Sequence, residues 1–313
     1  MSANAGETAN RGEPASSSEH ALPVHLALVA VQVMFASLSV VGKLVLRELP
    51  PFGLIAFRTP VAALVLLLIS AFSPREKVAP RDLASIFVYA FFGIIANQLL
   101  FIAGLQRTTA TNAVVIGAII PVFTVGVAVA LRREQATNAK MLGLCVAFVG
   151  AMAIVGAGRF EGGGSRLAGN LLIVANSLCF SLYLVISREV LNRYRTLTVV
   201  TWTMTFGAIG VLPFGAVDLY THAPALSAAS WLGLIWIVLF PSVGTYFLNA
   251  YALKRAPSSL VAIYIYVQPV LGALMAAATL GERPSLFTAL GGALIAFGIT
   301  LINRDARRRA QPT

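Results

Sequence analysis

The sequence predicts an all-α polytopic membrane protein: ten transmembrane helices arranged as two inverted five-helix repeats. Three observations lead there. The 313 residues are 58% hydrophobic and 11% charged, with a mean hydropathy of +0.83, whereas a soluble domain carries about 25% charged residues. The apolar residues arrive in blocks close to the roughly 20 residues a helix needs to cross about 30 Å of hydrocarbon. Finally, the chain resembles itself at a spacing of 148 residues.

Residues 1–23 read as a disordered cytoplasmic tail, because the first 20 are rich in Ser, Ala, Gly and Glu with almost no large apolar side chain. No basic region precedes a cleavage site, which argues against a processed signal peptide. The spans follow at 24–46, 53–72, 83–104, 110–131 and 137–157, forming a first repeat over 24–157. A second repeat over 167–302 holds spans at 167–187, 197–217, 227–251, 258–280 and 286–302, and residues 303–313 form a basic cytoplasmic tail. The joins at Arg107, at Arg133 to Lys140 and at Glu282 to Pro284 are short enough to force neighbouring helices antiparallel.

The formal charge of +11 could suggest nucleic-acid binding, but that requires the basic residues on one aqueous face. Here they lie mainly between apolar blocks and at the C-terminus, which is a topology signal. With the N-terminus inside, 16 of the 23 Lys and Arg residues fall in internal segments, as the cytoplasmic excess of basic residues requires. Both termini are then cytoplasmic, in a cell inner membrane. Cys145 and Cys179 lie in apolar blocks and provide no disulfide framework, and three histidines leave little for a metal cluster.

The self-similarity superposes "GLQRTTATNAVVIGAIIPVFTVGVAVALRREQ" on "YALKRAPSSLVAIYIYVQPVLGALMAAATLGERP" without gaps. Ten of the 46 positions from 105 to 150 are identical, including Arg107 with Arg255, Pro121 with Pro269, Glu134 with Glu282, Gly143 with Gly291 and Gly150 with Gly298. Five helices per half is an odd number, so the halves enter the membrane from opposite sides. That inverted symmetry supplies two states open to opposite sides, the basis of alternating access.

These motifs resemble the drug/metabolite transporter superfamily, and within it the EamA-type ten-helix bacterial exporters, over residues 24 to 302. The stretch Asn249 to Pro284, "NAYALKRAPSSLVAIYIYVQPVLGALMAAATLGERP", is similar to that family's small-residue turn, mid-helix Pro and helix-ending Gly-Glu-Arg; "IIPVF" and "RREQ" are the weaker first copy. Phe57 and Arg58 resemble the pair common early in its second helix, while Phe35 and Ala36 stand where it often has Trp-Gly. The resemblance implies export of amino acids, metabolites or toxic cations.

Polar side chains in a span face the bundle interior or a cavity. The wider set is Gln32, Asn97, Gln98, Asn112, Asn176, Tyr183, Trp202, Tyr246, Asn249, Tyr264, Tyr266 and Gln268. Amides can simply tie helices together, and Tyr and Trp can anchor at interfaces. As substrate-path candidates we take Gln32, Arg58, Asn97, Asn176, Tyr183, Tyr246, Tyr264 and Gln268. Tyr264 and Gln268 share a helix face beside Pro269, while Gln32 and Asn176 fall in corresponding regions of the two halves. Arg58 either snorkels to the outer interface or attracts a carboxylate. Pro121 and Pro269 shape their helices. Rings and amides together suit a small amphiphilic solute.

All twelve carboxylates fall in tails, loops or helix ends, so no mid-membrane acid offers a proton relay. His25, near the start of the first span, is a weak substitute. The expectation is facilitated export down a gradient, or coupling by a route the sequence does not display. No HExxH, G-x-S-x-G or P-loop occurs, so neither an enzyme nor a cofactor is expected. The expected partners are a small-molecule substrate and the lipid bilayer, with no nucleic acid. A nucleotide-sugar or other metabolite carrier and a non-transporting scaffold stay open as alternatives.

Overall fold

A computed structural model describes residues 21–108, 110–155, 166–271, 274 and 286–310. Every regular element among them is helical. In chain order we label these α1 (Ala21–Val45), α2 (Pro51–Ala71), α3 (Pro80–Leu105), α4 (Ala110–Gly117), α5 (Ile120–Ala130), α6 (Asn138–Val155), α7 (Leu167–Ile186), α8 (Arg188–Arg193), α9 (Thr196–His222), α10 (Ala228–Arg255), α11 (Ser258–Leu271) and α12 (Leu286–Ala310). Six stretches are long and apolar enough to cross a membrane: Leu22–Val45, Pro51–Ala71, Pro80–Leu105, Leu167–Arg193, Thr196–Ala225 and Ala228–Arg255. Ile120–Ala130, Asn138–Ala153 and Ser258–Leu271 are apolar but shorter.

The radial distribution of side chains is that of a protein dissolved in lipid. Leu64 and Leu68 on α2, Ile209 and Phe214 on α9, Leu232 and Ile235 on α10, and Val149 on α6 all point outward. Gln32, Gln98, Asn112, Asn176, Thr203, Thr245 and Asn249 are buried. Water would drive the first group inward at about 25 cal/mol per Å². Hydrocarbon has no such drive, but it charges heavily for an unpaired polar group.

Helix boundaries depart from the sequence expectation at particular residues. The expected single span 110–131 is broken: α4 ends at Gly117 and α5 begins at Ile120, because Pro121 has no N–H to return to the carbonyl four residues back. Helix α3 begins at Pro80, three residues earlier than expected, with proline in the first helical turn where its missing N–H costs nothing. At the C-terminus, α12 continues to Ala310 through residues whose charge suggested a tail. Two helices contain π-helical inserts, Phe91–Ile95 in α3 and Val238–Gly244 in α10, and Tyr264–Tyr266 in α11 is 3₁₀. The disordered-tail reading of residues 1–20, and the readings of Arg159 and of the Gly-Glu-Arg run at 281–283, lie outside the described residues.

Glycines set the closest helix contacts. α6 and α12 cross antiparallel: a Cβ on Gly143 would lie 2.8 Å from the Gly298 carbonyl oxygen, and one on Gly150 would lie 2.6 Å from that of Gly291. α2 and α9 meet in the same way, where a Cβ on Gly215 would overlap the Phe52 carbonyl. Such backbone-to-backbone approach is how helices gain attraction where no hydrophobic effect pushes them together.

The helix ends gather into two dissimilar rims. At one, which we call the charged end, Arg193 pairs with Asp82 at 2.7 Å, Tyr194 donates its hydroxyl to Asp82 at 2.8 Å, Arg133 pairs with Glu189 at 2.6 Å and the Arg195 N–H donates to Glu76 at 2.9 Å. Thr137 donates to Asp305 there at 2.8 Å. Its most buried member is Glu134, which accepts from Lys140 Nζ at 2.7 Å, from the Ser259 N–H at 3.1 Å and from the Ser259 hydroxyl. Arg132, at the end of α5 with a left-handed φ of 55°, turns the chain that carries Glu134. At the opposite end Glu48 accepts from the Ser227 N–H and hydroxyl, both at 2.8 Å, and Asn170 accepts from Thr108 and Asn112. Partly exposed ion pairs such as Arg133–Glu189 contribute about 0–1 kcal/mol each; Glu134 is worth more.

Two measurements check this packing. Gly150→Ala is expected to lower the thermal midpoint in detergent by several degrees, since overpacking costs about 1–3 kcal/mol, whereas Gly126→Ala, with nothing within 4 Å of its Cβ, should leave it unchanged. The second concerns pH. Burial pushes the Glu134 carboxyl up, but the bonds from Lys140 and Ser259 outweigh it and hold the group below its ordinary 4.5. A depressed carboxylate stabilises fully above the unfolded value and loses that stabilisation as pH falls through the folded one. Wild type should therefore exceed Glu134→Gln by about 2 kcal/mol at neutral pH, with the gap closing only below pH 4.5.

Candidate functional site

Several substrate-path candidates meet in the bundle interior, in two groups. The first lies between α1 and α11. Gln268 Nε2 donates to Gln32 Oε1 at 2.9 Å, and one turn nearer the charged end the Tyr264 hydroxyl bonds His25 Nδ1 at 2.5 Å. The spacing explains the pairing: His25 and Gln32 are seven apart on α1, two turns along one face, and Tyr264 and Gln268 are four apart on α11. The shared face expected for Tyr264 and Gln268 is thus occupied by α1, and His25 joins it.

The second group surrounds Gly93 inside the π-helical insert of α3. A Cβ on Gly93 would overlap the Tyr183 ring of α7, so only glycine lets that ring approach the α3 backbone this closely. From α10, the Tyr246 hydroxyl donates to the Gly93 carbonyl at 3.1 Å. A π-type insert leaves a backbone carbonyl available to side chains, and here Tyr246 takes it. The rings of Tyr183 and Tyr246 lie 6.5 Å apart and Phe180 packs on Tyr183 at 5.9 Å, making an aromatic wall. Gln98, further along α3, is buried with its Oε1 unpartnered.

Arg58 is seven residues from the start of α2, about 10 Å below the opposite end. The residue is part-exposed, while its Nε is buried among protein atoms and has no hydrogen-bond partner.

Asn97 and Asn176 do come together, but through the backbone: Asn176 Nδ2 donates to the Asn97 carbonyl at 2.7 Å. That is an α3–α7 tie of the kind polar residues supply between membrane helices. Pro121 sits in the first turn of α5 and Pro269 follows the 3₁₀ turn of α11, so each marks a change of helical path. Sequence reasoning marks Gly93 only as one of several span glycines that permit close helix approach, since a small residue in an apolar helix carries no mark of the ring that covers it.

No group of three or more His, Cys, Asp or Glu side chains able to hold a metal ion occurs among the described residues. The described carboxylates at 48, 76, 82, 134, 189, 218 and 305 lie at helix ends or in turns. The chemistry the interior offers is recognition: one guanidinium, several amides and a set of phenol rings.

Gly93→Ala tests whether the Tyr183–Gly93–Tyr246 stack matters beyond stability. Displacing the Tyr183 ring should cut transport at least tenfold while the thermal midpoint drops by only a few degrees, a cost of about 1–3 kcal/mol. Initial rates of solute exchange in proteoliposomes, set beside detergent melting curves, measure both.

Comparison with known proteins places this arrangement. A solved crystal structure aligns with a TM-score of 0.75 over 92% of this chain and 99% of its own, at 20% identity, which establishes a shared fold. An uncharacterized transporter of Archaeoglobus fulgidus is 28% identical over 283 residues, covering 88% of this chain and 96% of that protein. A protein of Streptantibioticus cattleyicolor described as a probable terminal-alkyne amino-acid exporter is 29% identical over 291 residues, covering 92% and 96%. The profile of the EamA-like transporter family matches residues 22–156 and 167–304, nearly the whole of the described bundle, and the chain belongs to that family.

Proposed function

We propose that this chain is a ten-helix secondary carrier of two inverted five-helix halves, which exports small amphiphilic metabolites, amino acids or related compounds, by alternating access. The observation that carries the reading is that helix interruptions recur at the repeat spacing around the interior polar groups. The π insert Phe91–Ile95 corresponds at 148 residues to the insert Val238–Gly244. The break after Gly117 corresponds to the 3₁₀ turn Tyr264–Tyr266, each followed by its proline. Arg107 donates to the carbonyl four residues back at 2.8 Å, and Arg255 does the same at 3.1 Å.

The glycine crossing supports a two-fold relation as well. Gly143 and Gly291 are equivalent in the repeat, as are Gly150 and Gly298, and the contacts run Gly143 to Gly298 and Gly150 to Gly291. A two-fold axis exchanges partners in this way. Interrupted helices at a repeat interface are where inverted-repeat carriers hold their solute. The Streptantibioticus relative's description names an amino acid, which supports that substrate class.

Orientation follows from charge. Arg75, Lys77, Arg81, Arg132, Arg133, Arg188, Arg193, Arg195, Lys254 and Arg304 belong to the charged end, and the cytoplasmic bias of basic residues puts that end inside. α1 starts there, since His25 bonds Tyr264 near the start of α11, and α12 finishes there through Asp305. Both termini are then cytoplasmic, in an inner membrane.

Counterflow in liposomes holding the purified protein tests the function. The panel spans aromatic, branched, small polar and cationic amino acids plus a lipophilic dication. The expected result is saturable, stereoselective exchange of amino acids, reduced at least tenfold in a Gln32→Ala, Tyr264→Ala, Gln268→Ala triple variant. Non-saturable flux would indicate a channel, and no flux from folded protein would indicate a scaffold.

A further inference from the structure

The first turns of α11 are unusual for a helix that starts at an aqueous rim. The opening N–H groups of a helix lack partners within it and are commonly left to water. Here every residue from Ser258 to Tyr264 is buried, although Arg255, just before the helix, is exposed. Leu260, Val261 and Ile263 give the segment an apolar body. It runs from the charged end, where Ser259 meets Glu134, down to the Gln268–Gln32 pair. A solute passing between that rim and the interior polar groups would have to displace it.

Three elements hold the segment in place. The Ser258 hydroxyl donates to the Leu184 carbonyl of α7 at 3.0 Å, and Tyr264 bonds His25 of α1. Ser259 gives both its N–H, at 3.1 Å, and its hydroxyl to Glu134 in the α5–α6 turn. The Glu134 bonds are charge-assisted, roughly twice as strong as neutral ones. They also join the two stretches that match the family profile, since Glu134 lies in 22–156 and Ser259 in 167–304. Lys140, which donates to the same carboxylate at 2.7 Å, belongs with Glu134 to the first stretch. If α11 moves away, Lys140 therefore stays behind as the partner of Glu134. No buried charge is stranded, which is what makes breaking most buried ion pairs so costly. Beyond the segment, α11 passes through the 3₁₀ turn Tyr264–Tyr266 to Pro269. That proline has no N–H for the Ile265 carbonyl, and a 3₁₀ stretch within a helix is a place where it can bend.

We propose that Ser258–Ile263 is the gate of the charged end and that Glu134 is its latch: the carboxylate holds the gate shut through Ser259, and the segment swings away at the 3₁₀ turn and Pro269 while Lys140 keeps Glu134. Glu134 is a positioning residue in this account, acting through α11 and not on the solute. The inference rests on the carrier reading above for what the gate admits, but movement of the segment can be measured with no solute present.

The test uses the full-length protein in nanodiscs, carrying Val261→Cys on a Cys145→Ala, Cys179→Ala background, and measures how fast a hydrophilic maleimide labels the buried position. Adding Glu134→Gln is expected to raise the labelling rate about tenfold, because the bonds to Ser259 lose their charge. Ser259→Ala, which removes the hydroxyl bond and leaves the N–H bond and the Lys140 pair, should raise it about fivefold; it carries the test if Glu134→Gln fails to fold. Gly150→Ala serves as the control for general loosening, since it weakens the α6–α12 crossing without touching the latch. It should lower the thermal midpoint and leave the labelling rate at the wild-type value. A rate that rises as much in Gly150→Ala as in the latch variants would overturn the proposal, and so would a rate unchanged in both latch variants. Counterflow with the amino-acid panel judges the carrier reading separately. Folded protein that exchanges nothing, yet labels faster when Glu134 or Ser259 is changed, would remove the carrier and keep the latch, whereas saturable exchange with unchanged labelling would do the opposite.

Discussion

A bilayer interior cannot hydrogen-bond to a polar side chain, so each amide, hydroxyl and guanidinium in the spans must find its partner within the protein. That constraint orders this bundle. It turns Gln32 toward Gln268 and Asn176 toward the α3 backbone, and it leaves Leu64, Ile209 and Leu232 to the lipid. It also makes exceptions informative. A soluble protein can leave an arginine nitrogen to water, whereas Arg58 Nε, about 10 Å inside the opposite end, is buried without a partner.

Close backbone contact provides the frame on which those groups are held. With lipid as apolar as the helices themselves, association rests on packing, and the crossings of α6 with α12 and of α2 with α9 are close enough that a methyl group would collide with a carbonyl. Around this frame the helices are interrupted where polar groups converge: the π inserts of α3 and α10 and the 3₁₀ turn of α11 lie next to Gly93, Tyr246 and Gln268. Such interruptions release backbone carbonyls and allow local change of helical path. The rims contrast with this interior. The charged end is laced by carboxylates and guanidinium groups, among which Glu134 joins the α5–α6 turn to the start of α11.

Much of the architecture was legible in the sequence because hydropathy and punctuation are local properties. Apolar blocks located the helices, and Pro121 and Pro269 marked places where their paths change. The sequence could not show that Pro121 would open a new helix, since proline is tolerated within membrane helices as well, as Pro60 in α2 and Pro213 in α9 show. Nor could the charge of the final residues reveal that α12 runs on to Ala310, because Arg and Ala are good helix formers whatever their surroundings. The site was half legible. Spacing on one helix related Tyr264 to Gln268, but their partners on α1 are more than 230 residues away in sequence. The cover that Tyr183 places on Gly93 depends on two helices meeting and leaves no trace in either of them.

If two similar halves rock about an interior site, as proposed, the two rims open in turn. Spin-label distances across each rim would test it most directly, with one pair joining the α2–α3 turn to the α8 region at the charged end and another joining the α1–α2 turn to the α9–α10 turn at the opposite end. Measured in nanodiscs, with and without an exchanged solute and with Glu134→Gln to loosen the charged rim, the account predicts two populations. Lengthening across one rim should accompany shortening across the other. Distances that stay fixed at both rims, or that lengthen together, would contradict alternating access and leave the polar interior as a feature of assembly alone.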